Sequence, residues 1–131
     1  MVQKKINQKA KILVVEDDFF LIKVMQTKLV NEGYQVEIAS DGVLALEALK
    51  RFTPDLILLD LVMPRKDGFE VLEELSHDKK MSKIPVIVLT NLGQDSDVDR
   101  VKVFGVKDYL VKSDISIDAV VEKVRSVLRQ S

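Results

Sequence analysis

The chain reads as an α/β protein, an open five-stranded parallel sheet in the order 2-1-3-4-5 with helices on both faces. Three observations predict this. The apolar runs Ile12–Val15, Leu56–Leu59 and Val86–Leu89 show no polar alternation, as expected of strands covered on both faces. Five extended segments alternate with five amphipathic ones through short connections, which forces right-handed crossovers and parallel pairing. The 131 residues suit one domain, and five strand–helix units cannot close an eight-stranded barrel.

Residues 1–10 carry Lys4, Lys5 and Lys9 without periodicity and are expected to form a flexible N-terminal tail ahead of a domain at 11–131. Lys11–Val15 is the first strand, ending on Glu16, Asp17 and Asp18. Leu21, Met25 and Leu29 then recur at helical spacing, with Ile22 and Val24 widening the stripe. Asp18 is suited to cap that helix, and Gly33 stands where a C-terminal glycine belongs. Tyr34–Ala39 is a shorter, more alternating strand, as an edge strand would be. Asp41-Gly42 turns into a helix bearing Leu44, Ala45, Ala48 and Leu49.

Asp55–Asp60 is the central strand. It stops on a carboxylate, and Pro64, Arg65, Lys66 and the Asp67-Gly68 turn signal follow. A helix from about Phe69 to Ser76 faces Leu72 and Leu75 inward. Pro85–Leu89 is the fourth strand, with proline at its first position, where the missing donor costs least, and it ends on Thr90. Gln94–Phe104 is a sparse helix, with only Val98, Val101 and Phe104 among several charges, broken by Gly105. Asp108–Val111 is the last strand and ends on Lys112. Ile117, Val120, Val121, Val124, Val127 and Leu128 form the strongest amphipathic helix.

Composition narrows the function. With 47% hydrophobic and 31% charged residues, the chain can bury a core beneath a solvated surface. A formal net charge of -1 gives no general attraction to nucleic acid or anionic membrane, so neither is an expected direct partner. Having no cysteine, the chain offers no disulfide, thiolate metal site or thiol nucleophile. No apolar run approaches the roughly 20 residues that cross a bilayer, and Ile12–Val15 is too short for a signal peptide. A cytoplasmic location is the expectation. His77, the single histidine, falls in a charged connection and reads as a surface residue.

In an open parallel sheet the ligand crevice lies beyond the carboxyl ends of the strands. Those ends deliver Glu16, Asp17, Asp60, Thr90 and Lys112 to one edge. Two carboxylates about 4 Å apart repel by roughly 4 kcal/mol at an effective dielectric near 20, which a hard divalent cation relieves. Carboxylate and carbonyl oxygens suit Mg²⁺, with Mn²⁺ able to replace it; zinc is disfavoured without cysteine or a histidine at this edge. An ionised Asp60 held in line could attack a phosphoryl group, with the metal, Lys112 and the Thr90 hydroxyl stabilising its oxygens.

From Lys11 to Arg129 the chain resembles the receiver domain of two-component response regulators. The motifs are Ile-Leu-Val-Val-Glu-Asp-Asp at 12–18, Leu-Asp-Leu-Val-Met-Pro at 59–64, Asp67-Gly68, Leu-Thr at 89–90 and Asp-Tyr-Leu-Val-Lys at 108–112. The resemblance implies a flavodoxin-like receiver fold with Asp60 as phospho-acceptor. It implies Mg²⁺ held by Glu16, Asp17, Asp60 and the Val62 backbone carbonyl, with Asp17 as the direct ligand of the acidic pair and Glu16 acting through water. Thr90 matches the switch hydroxyl, Lys112 the site lysine and Tyr109 the switch aromatic. Implied too are a histidine kinase or phosphotransfer protein as donor, a downstream protein target or output domain, and a monomer or weak phosphorylation-dependent dimer. Such a chain is not a conventional enzyme, although it carries its own Mg²⁺-dependent phosphotransfer and autodephosphorylation.

Three positions depart from the family pattern. Ser113 stands where the lysine is usually followed by a proline in a cis peptide. A cis bond costs about 2.5–4 kcal/mol before a non-proline residue, so either a trans bond with a reshaped Lys112–Ser116 loop or a strained cis bond is expected. Asn91 is larger than the usual residue after the switch hydroxyl and is placed to narrow access to Asp60. Val62 and Leu92 are apolar where the family tunes loss of the phosphoryl group, which implies a long-lived phosphorylated state. Three rival readings are weaker or narrower. A flavodoxin-like cofactor binder would want a glycine- and hydroxyl-rich loop where Glu16-Asp17-Asp18 stands. An aspartate-nucleophile phosphatase would want an acid at Val62 and a cap domain. A degenerate receiver serving as a phosphorylation-independent binding module is the nearest alternative.

Overall fold

The structure, a computed structural model, describes residues 10–130. Apart from Ala10, the expected tail at 1–10 lies outside the described residues. Five parallel strands, β1 (Lys11–Val15), β2 (Gln35–Ala39), β3 (Leu56–Leu59), β4 (Val86–Thr90) and β5 (Asp108–Val111), lie in the order β2-β1-β3-β4-β5. They alternate with α1 (Phe19–Asn31), α2 (Gly42–Arg51), α3 (Gly68–Ser76), α4 (Asp95–Lys102) and α5 (Ile117–Arg129), with 3-10 turns at Met81–Lys83 and Lys112–Asp114. Both the fold class and the strand order read from the sequence are found.

Successive side chains on a strand point to opposite faces, and the sheet accordingly separates two cores. Leu13, Val15, Ile57, Leu59, Val86 and Val88 pack with Ala45, Ala48 and Leu49 of α2, Val71, Leu72 and Leu75 of α3, and Val101 of α4. Ile12, Val14, Leu56, Leu58, Ile87 and Leu89 pack with Met25 and Leu29 of α1 and Val120, Val121 and Val124 of α5. All four residues of β3 are buried, which is why that segment lacks polar alternation. Edge strand β2 is largely half-buried, as its alternating sequence predicts.

Local chemistry sets the helix ends. Asp18 accepts from the N–H groups of Phe20 (3.0 Å) and Leu21 (3.2 Å) at the start of α1. Gly33 follows that helix at φ +98°, a conformation glycine adopts without a Cβ penalty. Asp67 and Glu70 form a reciprocal capping box on α3. Helix α4 is shorter than the expected Gln94–Phe104: it stops at Lys102, Val101 is its one buried residue, and Gly105 turns away at φ +71°. With so little apolar area to bury, α4 gains less from packing than its neighbours. Arg100 adds an anchor, its guanidinium carbon 3.7 Å from the centroid of the Phe69 ring.

Candidate functional site

The sheet register brings the reactive side chains together. Val15 pairs with Leu59 and Leu59 with Val88, so the next residues, Glu16 and Asp60, emerge side by side. The ladder runs one step past the strands, with Asp60 N–H donating to Val15 O and Glu16 N–H to Ala39 O, both at 3.0 Å. Asp60 thus lies one residue beyond β3 rather than within it. Thr90 closes β4 opposite Val111 of β5, and Lys112 follows directly.

Glu16 and Asp60 are 3% and 4% exposed. Lys112 Nζ bridges them, 2.8 Å from Glu16 Oε1 and 3.1 Å from Asp60 Oδ2. Oxygens of Glu16, Asp17 and Asp60 lie within 4.8 Å of one another, Asp17 being the exposed member. Burial pushes the Glu16 carboxyl pKa upward and the charge of Asp60 adds to this, against the pull of Lys112 and the Asp18 N–H. Burial alone would lower the Lys112 pKa, but Glu16 and Asp60 outweigh it and raise it, so the ammonium stays charged. One ammonium against three carboxylates leaves two negative charges uncompensated when all three are ionised. That surplus, in an all-oxygen donor set, fits a hard divalent cation. Asp18, by contrast, is committed to capping α1, and its own N–H donates to Glu16 Oε2 at 3.0 Å.

The loop after Asp60 is held close beneath it. Val62 N–H donates to Asp60 Oδ1 at 3.3 Å and Gly68 N–H to Leu61 O at 3.0 Å. A β-carbon at Gly68 would stand 2.3 Å from Asp60 O and 2.7 Å from Leu61 Cα, so only glycine lets α3 begin there. Val62 itself is 55% exposed.

A family model described as the response regulator receiver domain matches residues 12–125. The chain belongs to this family. The receiver is 40% identical over 125 residues to the probable transcriptional regulator ycf27 of Pyropia yezoensis, covering 95% of this chain and 50% of that protein. It therefore spans about half the length of the curated relatives it matches. Among solved structures it is similar to the phosphorylated cyanobacterial phytochrome response regulator RcpA, with a TM-score of 0.79 at 33% identity, covering 91% of each chain. It is likewise similar to the Mn²⁺-bound form of response regulator Rcp1, with a TM-score of 0.76 at 35% identity, covering 83% of this chain and 85% of that one.

The remaining expected residues occupy the same edge of the receiver in different ways. Thr90 is fully buried; its hydroxyl accepts from Leu92 N–H at 3.4 Å and makes no hydrogen bond to Asp60 or Lys112. Tyr109, half-buried, donates its hydroxyl to Leu92 O at 2.6 Å. Its phenol pKa is raised, first by burial and then by the charges of Asp97 and Asp60. Asn91 is exposed. The Lys112–Ser113 bond is trans and the segment Lys112–Asp114 forms a 3-10 turn, the first of the two expected alternatives. His77 lies at the surface and meets Glu73 Oε2 at 2.8 Å. Sequence reasoning missed the contact between Asp41 and Arg65 (2.8 Å); the Asp41-Gly42 pair signalled a turn there, but not its partner.

Proposed function

We propose that this receiver accepts a phosphoryl group on Asp60 from a histidine kinase or phosphotransfer protein and converts it into a surface change at α4, β5 and α5. The observation that supports this reading is the buried Glu16–Lys112–Asp60 bridge with Asp17 beside it. A carboxylate oxygen of Asp60 attacks phosphorus, forming an acyl phosphate as the donor's bond to phosphorus breaks and the leaving group departs with that electron pair. Glu16, Asp17, Asp60 and the Val62 carbonyl are the residues that would hold Mg²⁺ or Mn²⁺. When bound, the cation supplies positive charge toward the phosphoryl oxygens, where transition-state charge is spread. Lys112 supplies a second positive charge, already placed at the acceptor.

The new charge draws the Thr90 hydroxyl inward, and Tyr109 follows into the space it leaves. Helix α4 answers most readily because a single buried valine and the Arg100–Phe69 contact hold it. Incubation with acetyl phosphate and Mg²⁺ tests the reading. The expected result is a mass gain of one phosphoryl group that is lost in Asp60→Ala. No gain in the wild type would overturn it and favour the phosphorylation-independent binding module.

A further inference from the structure

The loop between β3 and α3 carries Asp60 and, in the reading above, the Val62 carbonyl ligand. It leaves Pro64 through a tight turn in which Lys66 N–H donates to Pro64 O at 2.9 Å across Arg65, whose φ is +67°. A three-residue turn with a positive central φ is rare and strained. Arg65 is also the one non-glycine residue with positive φ among the described residues. Such strain persists only where the surroundings over-determine the backbone.

The N-terminus of α2 provides those surroundings. Arg65 Nε donates to Asp41 Oδ2 at 2.8 Å, and Gly42 N–H donates to Lys66 O at 2.9 Å. The other Asp41 oxygen caps α2 by accepting from Leu44 N–H at 2.9 Å, and Asp41 is buried. A β-carbon at Gly42 would fall 2.2 Å from Lys66 O, so the two segments can lie this close only because position 42 is glycine. Two consecutive loop residues, Arg65 and Lys66, are thus tied to two consecutive residues at the helix start.

We propose that Asp41 and Arg65 form a latch fixing the β3–α3 loop in the conformation that offers the Val62 carbonyl and Asp60 to a divalent cation. This rests on reading the acidic edge as a cation site. Both are positioning residues: they act through the loop backbone, and their effect belongs in cation affinity. Residues that orient metal ligands are typically worth about 10–100-fold in affinity, and the half-exposed Arg65 side chain places this latch at the lower end.

Mn²⁺ dissociation constants, read from the spin-resonance signal of free Mn²⁺, test the latch in the full chain, Arg65→Gly, Asp41→Asn and the double variant. Glycine at 65 adopts the positive φ without strain, so that variant removes the side chain and leaves the turn geometry accessible. Asparagine at 41 keeps a capping oxygen for Leu44 and sets an amide NH2, which cannot accept from Arg65 Nε, where the second carboxylate oxygen stood. Thermal unfolding confirms that each variant is folded. The expected result is about tenfold weaker Mn²⁺ binding in each single variant and no further loss in the double, because either change opens the same latch. In the acetyl phosphate reaction the half-saturating Mg²⁺ concentration rises by the same factor, and the defect shrinks as Mg²⁺ is raised. Unchanged Mn²⁺ affinity in both single variants, or losses that multiply in the double, would overturn the latch. A wild type that binds Mn²⁺ yet gains no phosphoryl mass would sink the acceptor reading while the Mn²⁺ comparison still decides the latch; one that binds no Mn²⁺ sinks the latch.

Discussion

Gly68→Ala perturbs the loop that carries Asp60 by a single added carbon. The added methyl would stand 2.3 Å from Asp60 O and 2.7 Å from Leu61 Cα, both backbone atoms with no rotamer to escape into. Ordinary contact begins at 3.4 Å, so α3 and the end of β3 must separate by about 1.1 Å. Packed interiors resist such a shift. Overpacking of this kind costs about 1–3 kcal/mol, and a domain of this size loses roughly 4 °C of midpoint per kcal/mol. A fall of about 4–12 °C in thermal midpoint is therefore expected. Gly93→Ala is the control, since its methyl would meet only Val111 side-chain atoms at an ordinary 3.6 Å. Displacing a reacting group by about 1 Å can cost on the order of 100-fold in rate, so acetyl phosphate labelling of Asp60 should slow as well. A Gly68→Ala protein that melts with the wild type and labels at the wild-type rate would refute the argument from close approach.

Three further outcomes follow from the site. Lys112→Met leaves Glu16 and Asp60 buried without their counter-ion and should cost about 3–5 kcal/mol in metal-free buffer; chemical denaturation should show Mg²⁺ recovering more stability in this variant than in the wild type. Tyr34 and Tyr109 both have phenol pKa values above the ordinary 10.0, chiefly through burial. Their neutral forms therefore contribute stability that is present below pH 10.0 and lost as pH rises through the folded pKa, and phenolate absorbance in the folded chain should lack a component at the unperturbed midpoint. Val62→Asn places a polar group at an exposed position beside Asp60 and should speed loss of the phosphoryl group by about tenfold, roughly 1.4 kcal/mol of barrier; unchanged decay would count against apolar Val62 as the cause of a long-lived state.

The sheet is legible because its three central strands are buried on both faces and end at charged or hydroxyl residues. Val15 before Glu16, Leu59 before Asp60 and Leu110-Val111 before Lys112 all mark the same edge. What the sequence could not carry was contact between distant residues in special backbone states. Nothing local predicts that Arg65 takes φ +67° or that Asp41 waits for it 24 positions earlier. The end of α4 is hidden for a related reason. Phe104 continues the helical spacing and packs against the same core as Val101, but past Lys102 the chain closes in i→i−3 turns, with Phe104 N–H donating to Val101 O at 3.0 Å and Gly105 N–H to Lys102 O at 3.1 Å. Strand order places Lys112 at the edge where it can meet phosphoryl oxygens; that it also spans Glu16 and Asp60 depends on side-chain reach, which strand order alone does not specify.

The bond from Tyr109 to Leu92 O has a practical consequence. The chain contains no tryptophan and two tyrosines, so phenol emission is not masked by indole. With Tyr34→Phe, the remaining fluorophore would be the ring that clasps the segment just after Thr90. Phenols bound to a carbonyl emit differently from free ones, which gives the molecule a native optical gauge beside Thr90, readable in stopped flow without any attached label.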